Sequence, residues 1–223
     1  MFQNKELIIF DMDGTLIDSA PSLAFAVNSV LEELWREPFE LSTIREWIGN
    51  GADILIKRAL VGDKMYENYK IDDELFQKAR QLFLSTYGAN LNAKTVLYSG
   101  VKSGLEQLSN NYTLALATNK PIEFVGEMLE YFSIRKYFTL YYGAGSFENK
   151  KPHPQMLLEL CKELNIQPEK SVMVGDSKND LLAASAANID SIALSYGYNQ
   201  GENLADYKPK LTCNTFKKLL ENF

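Results

Sequence analysis

Leu7-Ile8-Ile9-Phe10-Asp11-Met12-Asp13-Gly14-Thr15 sets the frame for the whole chain. Four apolar residues in a row, without alternation, form the pattern of a strand buried on both faces. Thr113–Ala117, Ser171–Val174 and Ser191–Leu194 repeat it, and Tyr137–Tyr141 reads as a further strand. Helical spacing of apolar residues lies between these runs, at 101–109, 121–131, 154–164 and 179–187. Such alternation requires right-handed crossovers and places helices on both faces of a parallel sheet. The expected fold class is therefore α/β, a doubly wound parallel sheet.

Residues 20–88 break the alternation. They hold amphipathic helical patterns over Ser22–Leu34, Ala52–Leu60 and Asp72–Tyr87, with apolar residues three and four apart. That much helix after a first strand exceeds an ordinary crossover. The expected organisation is a catalytic core of residues 1–18 and 89–223 with a helical cap domain inserted at 19–88. One larger mixed domain is the alternative.

The 223 residues are 46% apolar and 23% charged, an ordinary globular balance. Asp and Glu outnumber Lys and Arg, 29 to 23, for a net charge of -6. A negative body repels nucleic acid and anionic membrane, so neither is an expected partner. An anionic substrate must then be held by a local positive site or a metal ion. Cys161 and Cys213 lack metal-ligand spacing and are too few for a disulfide framework, so buried thiols in a reducing compartment are expected. No stretch approaches the ~20 apolar residues of a membrane helix, and the first ten residues do not read as a secretory signal. The expectation is a cytoplasmic protein, monomer or homodimer.

In an open parallel sheet, ligands bind beyond the carboxyl ends of the strands. The polar clusters there are Asp11-Met12-Asp13-Gly14-Thr15, Thr118-Asn119-Lys120, Lys150-Lys151 and Gly175-Asp176-Ser177-Lys178-Asn179-Asp180. Carboxylates crowded into a cleft raise each other's pKa. Mg²⁺ relieves that, binding one or two carboxylates while keeping waters and substrate phosphate oxygens. Asp11 and Asp176 are the expected side-chain ligands and Asp13 the third, through its backbone carbonyl. Ser177 and Asp180 stand behind them. A calcium loop is excluded because Thr15 and Ser22 occupy offsets that need acidic or amide ligands. Asp176 alone would equally suit a helix N-cap.

Asp11 and Asp13, two apart in an extended segment, point the same way, and Gly14 allows a close turn that offers N–H groups to an anion. The arrangement suits a carboxylate nucleophile. Asp11 would attack phosphorus and form an aspartyl-phosphate, and Asp13 would protonate the leaving oxygen and then activate water. Lys151 and Thr118, with the loop N–H groups, would stabilise the phosphoryl oxygens.

The four motifs, Phe10–Ser19, Thr118–Lys120, Lys151-Pro-His-Pro154 and Gly175–Asp180, resemble those of the haloacid dehalogenase-like phosphohydrolases. The resemblance spans nearly the whole chain and implies a Rossmann-like core, a helical cap, Mg²⁺, and the stated roles for Asp11 and Asp13. Trp47-Ile-Gly-Asn-Gly51 and Tyr196-Gly-Tyr-Asn199 are similar to signatures of the phosphoglycolate phosphatase subfamily. That likeness implies a small phosphorylated metabolite as substrate, with Gly49, Asn50 and Gly51 closing over it and Asn119 and Lys120 beside it. Sugar phosphomutase, nucleotidase and a receiver-like module phosphorylated without turnover are the alternatives. Arg45 and Arg58 read as solvated helix-surface charges, His153 as a cap of the helix after it, and Trp35 and Trp47 as cap packing. Asn188 replaces the family's usual Gly at the left-handed position that ends its helix.

Overall fold

The computed structural model describes residues 2–223. Leu7–Phe10 forms β1, Ile17–Asp18 forms β2, and four helices follow: α1 Ala20–Glu33, α2 Leu41–Trp47, α3 Ala52–Val61 and α4 Asp73–Ala89. Val96–Leu97 is β3, antiparallel to β2. The chain then alternates through α5 Val101–Ser109, β4 Thr113–Pro121, α6 Ile122–Tyr131, β5 Leu140–Ala144, α7 Gln155–Glu163, β6 Ser171–Gly175, α8 Lys178–Ala186 and β7 Asp190–Leu194. It closes with β8 Leu211–Cys213 and α9 Phe216–Leu220.

The six-stranded sheet runs β5-β4-β1-β6-β7-β8, and every neighbouring pair is parallel. The chain builds outward from β1 to β5, then returns to β6 on the other side. The order therefore reverses between β1 and β6, the switch point where such sheets open a crevice. Asp11 and Asp176 each follow one of those two strands directly.

Period-two alternation divides the core. Ile8 and Phe10 face a large layer with α5, α9 and the helical block. Leu7 and Ile9 face the second layer with Met156, Leu160 and Cys161 of α7 and Ala183 and Ala184 of α8. Each such aliphatic side chain contributes about 1.5–3 kcal/mol on burial. Cys161 and Cys213 are free and buried, as expected. Among the described residues, no helix is long and apolar enough to cross a membrane.

Helices α1 to α4 pack on one another, and the two passages between them and the sheet lie side by side in the β2–β3 ribbon. Several expectations move. The strand placed at 137–141 starts at Leu140, where pairing to Ala115 begins. Arg135–Tyr137 is instead a tight turn, after which Phe138 packs edge-on to Phe10, 6.3 Å between centroids. Trp35 does not pack: it leaves α1 at φ 55 and is 97% exposed. Arg58 is buried rather than solvated, because carbonyls of Trp47 and Lys64 and the Asn50 amide oxygen accept its N–H groups. Trp47 is buried, Asn188 takes φ 56 after α8, and His153 Nδ1 accepts from the first N–H of α7.

Candidate active site

Residues from each of the four polar clusters meet at the carboxyl edge of the sheet. The backbone N–H of Asp11 still joins the ladder, donating to Val174 O at 2.9 Å, so β6 fixes where the first loop begins. Asp11, Asp176 and Asp180 each offer a carboxylate oxygen within 4.8 Å of the others. Burial pushes Asp11 up to about 6, with Lys151 pulling it back and Asp180 adding to the rise. Burial, then the charges of Asp11 and Asp180, hold Asp176 well above the ordinary carboxylate range.

Lys151 is the counter-charge. Its ammonium lies 2.9 Å from Asp11 Oδ1 and 2.6 Å from Asp180 Oδ1, and it donates to Ala117 O at 2.5 Å. Burial alone would lower its pKa, but the two carboxylates outweigh that and raise it. Asp180 Oδ2 accepts from Ser177 N and Oγ, completing a capping box at the start of α8. Ser177, rather than Asp176, is the N-cap, which leaves Asp176 free for the crevice. Asp180 thus holds Lys151 in place while belonging to the acidic cluster.

Asp176 is oriented by Thr15 Oγ1 at 2.7 Å and Tyr198 N at 2.5 Å. Two glycines permit that fit. Gly14 has φ +87, and a Cβ on it would stand 2.1 Å from Asp176 Oδ2. A Cβ on Gly197 would stand 2.3 Å from Gly14 O and 2.4 Å from Asp176 Cβ.

The Asp13 carboxylate turns to different partners, Ser19 Oγ at 2.5 Å and Lys120 Nζ at 3.1 Å. Lys120 also donates to Tyr87 Oη at 2.5 Å. Both aspartates of the first loop line one cavity of about 40 Å³, with Thr118, Asn119 and Lys120 on the sheet side. Leu23, Ile48, Gly49, Gly51, Ala52, Leu55, Phe83 and Tyr87 close it from the helical block.

Gly49–Gly51 is fastened over this cavity. Gly49 O accepts from Asn119 Nδ2 and Asn179 Nδ2, both at 3.1 Å, and Asn50 O accepts from Lys150 Nζ at 2.8 Å. The Asn50 side chain turns away from the cavity, accepting from Arg58 at 3.1 Å and Gln200 at 3.0 Å. The sequence did not single out Tyr87, Ser19 or Gln200 for the site. Asn179 and Lys150 lay inside quoted motifs, and only their unassigned amide and ammonium groups pointed to a role.

The cluster fits a hard divalent cation. Asp11 Oδ1 is buried and, apart from the Lys151 ammonium at 2.9 Å, has no partner among the described residues. The donors are all oxygen, the type Mg²⁺ takes.

Residues 8–194 match the family model described as haloacid dehalogenase-like hydrolase. The chain is 46% identical over 219 residues to a phosphoglycolate phosphatase of Colwellia psychrerythraea, covering 98% of this chain and 96% of that one. It is 44% identical over 219 residues to another of that name from Psychrobacter arcticus, with coverage of 98% and 95%. The crystal structure of a predicted phosphoglycolate phosphatase from Haemophilus somnus aligns with a TM-score of 0.92 at 35% identity, over 98% of each chain.

Proposed function

The chain belongs to the haloacid dehalogenase-like hydrolase family and is a phosphoric monoester hydrolase, and from that premise we propose that it converts 2-phosphoglycolate to glycolate and phosphate through an aspartyl-phosphate on Asp11. The observation that carries this reading is the meeting of Asp11 with Asp176 and Lys151 at the switch point, with the Asp13 carboxylate on the same cavity.

Asp11, Asp176 and the backbone carbonyl of Asp13 would hold Mg²⁺. Bound there, it neutralises the carboxylates and the charge on the phosphoryl oxygens. Asp11 forms a bond to phosphorus as the ester P–O bond breaks, and Asp13 gives its proton to the departing oxygen. Asp13 then takes a proton from water, whose oxygen attacks phosphorus and releases phosphate, restoring Asp11. Lys151, fixed by Asp180 and Ala117 O, places positive charge at the reacting carboxylate without having to reorganise. Thr118 and Asn119 line the place of the phosphoryl group, whereas the N–H groups of Thr15, Leu16 and Ile17, expected to face an anion, donate to Met12 O instead.

Size supports a small leaving group. A cavity of about 40 Å³ exceeds the ~10–15 Å³ needed by one water but leaves no room for a nucleoside while Gly49–Gly51 is fastened down.

A panel of phosphomonoesters assayed with Mg²⁺ tests the reading. The highest kcat/KM is expected with 2-phosphoglycolate, releasing free phosphate. A clear preference for a sugar phosphate or nucleotide would overturn the substrate, and an isomer in place of free phosphate would overturn hydrolysis.

A further inference from the structure

Tyr198 has no chemical step to perform, yet it is buried where three parts of the molecule meet. Its backbone N–H donates to Asp176 Oδ2 at 2.5 Å. Its hydroxyl accepts from the N–H groups of Ser19 and Ala20, at 2.8 and 2.9 Å, and donates to Asp18 Oδ1 at 2.6 Å. Arg45 of α2 pairs with Asp18 at 2.9 Å and lies over the Tyr198 ring, 5.2 Å from its centroid.

The consequence lies at the start of α1. Ser19 is its N-cap, and an N-cap serine ordinarily spends its hydroxyl on the unpaired N–H groups of the first turn. Here it makes no such bond. Tyr198 Oη takes two amides at that end, and Ser19 Oγ donates instead to Asp13 Oδ1 at 2.5 Å. The two amides are those of Ser19 itself and of the first helical residue, so Tyr198 holds the Ser19 backbone in place while Ser19 Oγ holds the carboxylate assigned to proton transfer.

We infer that Tyr198 is a positioning residue: by holding the backbone amides of Ser19 and Ala20, it keeps Ser19 Oγ on Asp13 and aims that carboxylate at the leaving oxygen. The inference rests on the reading of Asp13 as the proton donor. In Tyr198→Phe the Ser19 amide loses its acceptor and the Ala20 amide keeps only Asp18 Oδ1 at 3.2 Å, so the Ser19 backbone shifts and carries Oγ off Asp13.

A comparison of leaving groups separates aiming from general loosening. The alkoxide of an alkyl phosphate needs its proton as the P–O bond breaks, whereas 4-nitrophenolate departs without one. Tyr198→Phe is expected to lower kcat/KM for 2-phosphoglycolate roughly 10- to 100-fold, and for 4-nitrophenyl phosphate by less than about threefold. Ser19→Ala should give the same pattern, and the double variant should be no worse than the more damaged single one. Equal losses on both esters in folded protein, or losses that multiply in the double variant, would overturn the inference. If Tyr198→Phe does not fold, Ser19→Ala decides by the same comparison. Should the wild type prefer another alkyl phosphate, the substrate assignment fails and the comparison is made with that ester. A wild type inert toward every ester removes both the inference and the function it rests on.

Discussion

In the proposed mechanism Asp11 is both the nucleophile and a cation ligand, and burial, with the Asp180 charge adding to it, raises its carboxyl to about 6. Asp11→Asn keeps the size, removes the charge and leaves Lys151 its bond to Asp180. Phosphate release should fall by about 10³-fold or more, as when other covalent nucleophiles are removed, with the far-UV circular dichroism unchanged. Retained turnover would mean that another group attacks phosphorus. Asp11, Asp13 and Asp176 were legible as candidates because they sit at the tips of recognisable strands, and Lys151 because it stands in the Lys-Pro-His-Pro run before α7. Tyr198 was legible only as part of the Tyr196–Asn199 signature, which assigns it no task. Its role comes from hydrogen bonds to Ser19 and Asp176 that only the assembled fold brings within reach.

At the level of elements, sequence reading succeeded where a segment is long or fully buried and failed where tertiary pairing defines it. β1, β4, β6 and β7 announce themselves by apolar runs, and α5 to α8 by their spacing. β2 and β3 are two residues each and exist only because Ile17 and Asp18 pair with Leu97 and Val96. β8 is three residues at the sheet edge, and α2 is a seven-residue helix with a single apolar turn toward its neighbours. The same limit hid the fastening of Gly49–Gly51, a loop that takes one donor, Arg58, from the helical block and four, Asn119, Lys150, Asn179 and Gln200, from the sheet side. Closure of that loop should therefore be adjustable without touching the reacting groups. Asn179→Ala removes one of two amides on Gly49 O, a bond contributing about 1 kcal/mol. KM for the preferred ester should rise about fivefold, with kcat changed by less than twofold. A fall in kcat with KM unchanged would place Asn179 in the chemical step instead.

Over the whole molecule, the acidic cluster links metal, proton and stability. Asp11 has a folded-state value of about 6 against an ordinary 3.8, and Asp176 is raised in the same direction. Between about pH 4 and 6 the folded, metal-free protein therefore retains protons that the unfolded chain has already released. By linkage this contribution is full below the unfolded value and is lost as pH rises through the folded one. Mg²⁺ reverses the sense, because it needs the deprotonated carboxylates and competes with those protons. At 100 times its dissociation constant the ion stabilises by about 2.7 kcal/mol, which for a chain of this size raises the unfolding temperature by roughly 5–10 °C. Thermal unfolding with Mg²⁺ and with EDTA should thus diverge by that amount at pH 7.5 and nearly coincide at pH 5. The difference between the two conditions cancels every titration that the ion does not touch. An equal Mg²⁺ effect at both pH values would mean that the ion sits away from Asp11 and Asp176, and a null effect at both would mean that their crowding is relieved by protons and Lys151 alone.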